Sequence, residues 1–223
     1  MNKKNYSVAL ETEDFLVINK ASGIPVHREE DTPGILEYLP AGHHYNLCHR
    51  LDRDTSGLLL IAKNKPATAA LSQLFEQRQI QKYYLAITDQ KPKKSQGAII
   101  GDMTKARRGN WKLERSKVNP AITRFYSRSH SPGKRSLMIK PETGRTHQIR
   151  VALASLAAPI LGDNRYKGSD ADRLYLHAYQ LQFSFDNQTY IIKANVENGS
   201  LFDSFFLSER DNWIEPQHLN WPG

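Results

Sequence analysis

The chain has 223 residues, 39% hydrophobic and 24% charged, with three Trp, ten Tyr and eight Phe available for packing. That is enough for a full-sized domain with its own core, and it excludes intrinsic disorder, a low-complexity scaffold and a collagen-like or coiled-coil chain. One cysteine, Cys48, excludes an internal disulfide framework and a Cys-rich zinc site, and the net charge of +8 favours a polyanionic partner.

In chain order, strand-like runs rich in β-branched and aromatic residues are Ser7–Leu10, Phe15–Asn19, Leu58–Ala62, Lys82–Thr88, Ala121–Ser127, Ser136–Lys140, Leu174–Phe185 and Thr189–Ala194. The last two are expected to form a hairpin, because Asp186-Asn187 supplies turn chemistry between them. Ala70, Leu71, Leu74, Phe75 and Arg78 have helical spacing, with Asn64 and Pro66 as start signals. A second helix is expected to open near Thr143-Gly144-Arg145, carry Ile149, Leu153 and Leu156, and close at Pro159. Strands outnumber helices and do not alternate with them, which predicts an α+β fold with a mixed, mainly antiparallel β-sheet core and flanking helices.

No repeat and no Gly/Ser- or Pro-rich linker interrupts the chain, so a single domain over residues 1–223 is expected. Its acidic, aromatic end, residues 196–223, reads as a tail packing back on that domain. No apolar run approaches the roughly 18 residues of a membrane span, and Met1-Asn2-Lys3-Lys4-Asn5 does not lead into a secretory segment. A cytoplasmic protein is the expectation.

The positive charge is localised. Residues 101–150 hold thirteen Lys and Arg against Asp102, Glu114 and Glu142, the pattern of a surface that tracks phosphates. Lys105, Arg107, Arg108, Lys112 and Arg115 are the candidate contacts, and Gly101, Gly109 and Pro120 suggest a mobile loop around them.

Two segments are dense in chemistry. His49-Arg50-Leu51-Asp52-Arg53-Asp54-Thr55-Ser56-Gly57 precedes the apolar run Leu58–Ala62, so its acids and arginines project from a loop at a sheet end. The Leu between Arg50 and Asp52 separates it from a kinase catalytic loop, and neither Asp-Phe-Gly nor a Gly-rich phosphate loop occurs. About ninety residues later, Thr143-Gly144-Arg145-Thr146-His147-Gln148-Ile149-Arg150 brings a guanidinium, an imidazole and an amide to a helix start.

The strings HRLDRDTSGLLLIAKN, KYYLAI, GRTHQIRVALASLAAPILGDNRY and LYLHA resemble the RluA family of pseudouridine synthases, over residues 7–195. The resemblance implies the pseudouridine synthase fold and isomerisation of selected uridines in structured rRNA or tRNA. It places Asp52 at the catalytic aspartate and Asp54 at a variable position. Arg50 corresponds to the arginine that enters the RNA stack when the uridine leaves, Tyr84 to the pocket tyrosine, and Arg145 to the partner of the catalytic carboxylate. His147 and His177 fall on positions expected to support the pocket by hydrogen bonds. The chain departs from the family at Lys20-Ala21-Ser22-Gly23, where Lys-Pro-x-Gly is common, and at Ala152, where a histidine is common. Only about six residues precede the first matching strand, so a member without the S4-type module is implied, reading RNA with the catalytic domain itself.

Pseudouridine formation breaks the N1–C1′ bond, turns the uracil over and joins C5 to C1′, which calls for a carboxylate and for neither redox chemistry nor a metal. No cofactor and no metal are expected, since the histidines lack metal-ligand spacing. A monomer that binds structured RNA and no membrane is the resulting picture. The competing reading is a catalytically inactive RNA-binding protein on the same fold.

Overall fold

The computed structural model describes residues 5–202 and 213–223. Among them, twelve strands and two α-helices follow in chain order. They are β1 (Tyr6–Glu11), β2 (Phe15–Lys20), β3 (Asn46–Leu47), β4 (Ser56–Ala62), α1 (Lys65–Glu76), β5 (Gln81–Thr88), β6 (Gln96–Gly101), β7 (Met103–Lys105), β8 (Trp111–Leu113), β9 (Ala121–Ser131), β10 (Lys134–Pro141), α2 (Gln148–Ser155), β11 (Leu176–Phe185) and β12 (Gln188–Lys193). The fold is α+β, as the strand-rich sequence requires. Its chain divides into two compact units, Met1–Lys82 with His177–Glu197 and Tyr83–Leu176 with Asn198–Gly223.

In the first unit the strands run β1-β2-β4-β11-β12, with β3 also on β4. β11 joins β4 in parallel, and the other pairs are antiparallel. All of β2 and β4 is buried, which accounts for their continuous apolar runs. Phe15, Val17, Leu58, Leu60, Leu181 and Phe183 pack beneath Ala67 and Leu71 of α1. That helix opens where Asn64 Oδ1 accepts the Ala67 amide, with Pro66 in its first turn. Asp186 and Asn187 both take positive φ, 49° and 59°, giving the tight β11–β12 hairpin expected from the sequence.

The second unit orders its strands β5-β10-β9-β6, all antiparallel. α2 buries Ile149, Val151, Ala152 and Leu153. It begins at Gln148, not near Thr143–Arg145, because the Gln148 side-chain amide is committed to closing that stretch as a turn: Oε1 accepts from Thr143 Oγ1 (2.7 Å) and the Arg145 amide (3.0 Å).

The expected mobile loop is instead the hairpin β7–β8, a two-stranded sheet turned by a 3-10 segment at Arg107–Gly109. Gly101 serves close approach rather than mobility, since a Cβ there would lie 2.2 Å from the Glu114 carbonyl oxygen. In the expected tail, residues 203–212 lie outside the described residues. Phe202 and Trp213 are buried, Arg128 stacks on the Trp213 ring at 4.0 Å, and Trp221 sits 5.4 Å from Tyr126, ring centre to ring centre.

Candidate active site

The loop ahead of β4 is built to hold a short turn still. Leu51 is buried and roots it, and the Thr55 amide closes it on the Asp52 carbonyl at 3.1 Å. Asp52 is left half-buried at the turn, while Arg50, Arg53 and Asp54 are exposed. Asp54 enters the scaffold through its carbonyl, which accepts from Ser22 Oγ at 2.6 Å.

Three contacts explain the residues around Asp52. Gly57 has φ +111°, and a Cβ would lie 2.3 Å from the Ala178 carbonyl oxygen, so only glycine lets β4 and β11 approach in parallel. Ser56 Oγ is 2.8 Å from Nδ1 of the fully buried His177, and His177 Nε2 is 3.0 Å from the Ala194 carbonyl oxygen. A carbonyl only accepts, so Nε2 carries a proton and, in the neutral ring, Nδ1 accepts from Ser56. His49 Nε2 accepts the Leu60 amide at 2.9 Å, and its ring stacks on Phe75. Burial, and then Lys82, push the His49 pKa down to about 3. The histidine of the motif therefore has a structural job.

Lys20 is the least expected member. Its ammonium is 0% exposed and donates to the carbonyls of Ala21 (2.8 Å), Ile24 (2.8 Å) and Arg53 (2.9 Å). A buried cation is tolerated only with such partners. Here it ties the end of β2 to the residue beside Asp52.

In the second unit, Tyr84 is 8% exposed on β5 and lies in register with Ile139 of β10. Its neighbour Tyr83 is wholly buried, has its pKa pushed up to about 12 by burial, and packs near Lys140 and Trp221. Arg145 is exposed and donates to Asn119 Oδ1. Asn119 is itself placed by Asp102, whose carboxylate accepts the Val118 and Asn119 amides at 3.0 and 2.8 Å. The Ser116 hydroxyl and then those amides hold the Asp102 carboxyl below its usual range. Gln148 Nε2 adds bonds to the Ile122 carbonyl and Thr123 Oγ1, so the Arg145 turn is fastened to β9.

The basic residues sit on and beside the β7–β8 hairpin. Lys105, Arg107, Arg108, Lys112 and Arg115 all lie toward solvent, and Lys112 pairs with Glu114 at 2.7 Å. That local pairing leaves Lys112 a weaker candidate for a phosphate than the sequence suggested.

Asp52 and Arg50 thus share one loop of the first unit, and Tyr84, Arg145 and the basic hairpin belong to the second. Sequence reasoning missed Lys20, Gln148 and Asp102 as supports. A lysine ending the otherwise apolar run Phe15-Leu16-Val17-Ile18 was the available signal for the first.

The model of a family described as RNA pseudouridylate synthase matches residues 14–155. A Haemophilus influenzae protein described as an uncharacterized RNA pseudouridine synthase is 50% identical, over 94% of this chain and 91% of its own length. The ribosomal large subunit pseudouridine synthase C of Vibrio vulnificus is 31% identical, over 91% of this chain and 69% of its own length. Among solved structures, human RNA pseudouridylate synthase domain containing 1 superposes with a TM-score of 0.72 at 28% identity, covering 85% of this chain and 83% of that one. The chain belongs to the RluA-type RNA pseudouridine synthase family, and it is accordingly an isomerase acting on RNA. No helix among the described residues is long and apolar enough to cross a membrane.

Proposed function

We propose that this enzyme converts specific uridines of structured rRNA or tRNA to pseudouridine, with Asp52 as the nucleophile acting on a flipped-out base. Supporting this most directly is the clamped turn. The Thr55 amide holds the carbonyl of Asp52 itself and the buried Lys20 ammonium holds that of the next residue, Arg53, so the backbone that carries a half-buried carboxylate is fixed, the arrangement a nucleophile needs to meet a sugar carbon in one geometry. Asp52 bonds to C1′ as the N1–C1′ bond breaks, the uracil turns over, C5 displaces the carboxylate from C1′, and the C5 proton is lost while N1 gains one. Arg145 is the cationic partner of that carboxylate in this reading, which rests on its place in the Gly144-Arg145-Thr146-His147-Gln148 string. Arg50 fills the gap in the stack and Tyr84 stacks on the extruded base, offsetting an unstacking cost of about a few kcal/mol.

Relatives named for the ribosomal large subunit support rRNA as the substrate. The enzyme works in the cytoplasm as a monomer, without cofactor or metal. Replacing Asp52 tests the reading: Asp52→Asn keeps size and loses the nucleophile, so pseudouridine formation in total RNA should disappear while RNA affinity stays nearly unchanged. An Asp52→Asn enzyme that still isomerises uridine overturns it.

A further inference from the structure

The segment Leu161-Gly162-Asp163-Asn164-Arg165-Tyr166 has no part in the chemistry above, yet three of its six residues make side-chain hydrogen bonds to other parts of the second unit. Asp163 is 1% exposed and takes both ends of the Arg150 guanidinium, at 2.7 and 2.8 Å. The backbone then turns through a single 3-10 segment, Asn164–Tyr166, which throws two side chains toward the basic hairpin. Arg165 donates to the carbonyl of Gly109 in the hairpin turn at 3.2 Å. The Tyr166 hydroxyl accepts the Trp111 amide at the start of β8 at 3.1 Å and lies 2.8 Å from His147 Nδ1, within hydrogen-bond distance. The Arg150 guanidinium lies over the Tyr166 ring at 5.1 Å, so the phenol is held from behind by the same arginine that anchors Asp163.

We infer that Arg165 and Tyr166 are positioning residues that latch the β7–β8 hairpin to the start of α2, holding its cations in one orientation for RNA. The argument is geometric. A three-residue strand pair has little capacity to hold itself, and a two-stranded hairpin is at best marginal in water. Four exposed cations on the hairpin, Lys105, Arg107, Arg108 and Lys112, also repel one another. Two outside bonds, one at the turn and one at β8, fix it at two points, and two points define a direction. The Arg145 turn is closed by Gln148 bonds to Thr143, the Arg145 amide, the Ile122 carbonyl and Thr123, none of which involves Tyr166, so it keeps its shape when the hydroxyl is lost. The latch reaches RNA only through the hairpin, so it acts on substrate affinity and leaves the bond-making step alone. This inference rests on the reading that the hairpin contacts phosphates.

The test uses the whole chain and total RNA from cells lacking it, tritiated at uracil C5, so that tritium release reports turnover. Three variants are compared with the parent: Tyr166→Phe, Arg165→Ala, and Lys105→Ala/Arg107→Ala/Arg108→Ala. Tyr166→Phe keeps the ring beside Arg150 and removes only the hydroxyl. It should raise KM by roughly 3–10-fold, the size of one lost hydrogen bond, leave kcat unchanged and speed hydrogen exchange at the Trp111 amide. Arg165 is exposed, so Arg165→Ala keeps the fold and should raise KM in the same direction. If the triple variant raises KM while Tyr166→Phe changes neither KM nor Trp111 exchange, the latch is overturned and the hairpin reading stands. A triple variant with the parent's KM overturns the hairpin reading, and the latch's role in RNA affinity with it. Loss of kcat at unchanged KM in Tyr166→Phe also overturns the latch, because it places the hydroxyl in the chemistry.

Discussion

The ammonium of Lys20 donates to the carbonyl of Arg53 across a separation of 33 residues in sequence. Strand β2 thereby holds the backbone one residue beyond Asp52 through a group that never touches water. Lys20→Met would leave three inward carbonyls without their donor, and each unsatisfied buried group costs about 1–3 kcal/mol. We expect a fall in melting temperature together with a loss of kcat that persists well below the new melting point. Lys20→Arg should not restore activity, because a planar guanidinium does not reproduce three bonds radiating from one nitrogen. Turnover measured at a temperature where each variant is folded decides the matter: normal kcat in Lys20→Met removes the lysine from the support of Asp52.

Asp54 provides the internal control for Asp52. Both are acids of the same turn, but the exposed Asp54 contributes its carbonyl to Ser22, a bond that survives loss of the carboxylate. Asp54→Asn should retain substantial isomerisation of total RNA. A dead Asp54→Asn enzyme beside an active Asp52→Asn one would exchange their roles.

His49 makes stability depend on pH. Its folded pKa of about 3 lies below the ordinary value of 6.5. Between these values the unfolded chain binds a proton that the folded chain refuses. The contribution is therefore complete above about pH 6.5 and is lost as the pH falls toward 3, by up to about 1.4 kcal/mol per pH unit. His49→Gln offers the Leu60 amide an acceptor that does not titrate. Urea unfolding at pH 6.5 and 4.5 should show a shallower loss in this variant than in the parent, and equal slopes would show that His49 takes no part.

How much of the fold is readable from sequence follows from the range of each interaction. The eight strand-like runs, α1 with its Asn64 cap and the Asp186-Asn187 hairpin turn are local features, set by alternation, capping and turn chemistry within a few residues. The short strands β3, β6, β7 and β8 escaped because their pairing comes from partners, not from propensity: β6 holds Gln96, Gly97 and Gly101 and is a strand because β9 lies beside it. In the candidate site the motif itself was legible, Gly57 included. The reason for that glycine was not, because Ala178 lies far along the chain. The same holds for Lys20, whose third carbonyl belongs to a distant loop, and for Asp102, which places Asn119 for Arg145 and faces that arginine's charge from far along the chain.

Charge on the hairpin gives the last expectation. Arg107 and Arg108 stand at its turn, both exposed, with the Arg108 backbone in a left-handed conformation. Lys112 already has Glu114 as a partner, so the two arginines are the stronger phosphate ligands. Phosphate contacts position RNA without reading bases, so Arg107→Ala/Arg108→Ala should weaken binding to unrelated structured RNAs by similar factors. Each arginine that no longer neutralises a phosphate also forgoes its counterion release, which should flatten the plot of log affinity against log salt by roughly 0.7–0.9. For the pair the change is about 1.5, large enough to resolve in a binding series run from low to high salt. Loss of folding would instead abolish binding at every salt concentration, and a melting curve separates that case. A parallel line for the double variant, shifted or not, would place both arginines outside the RNA interface.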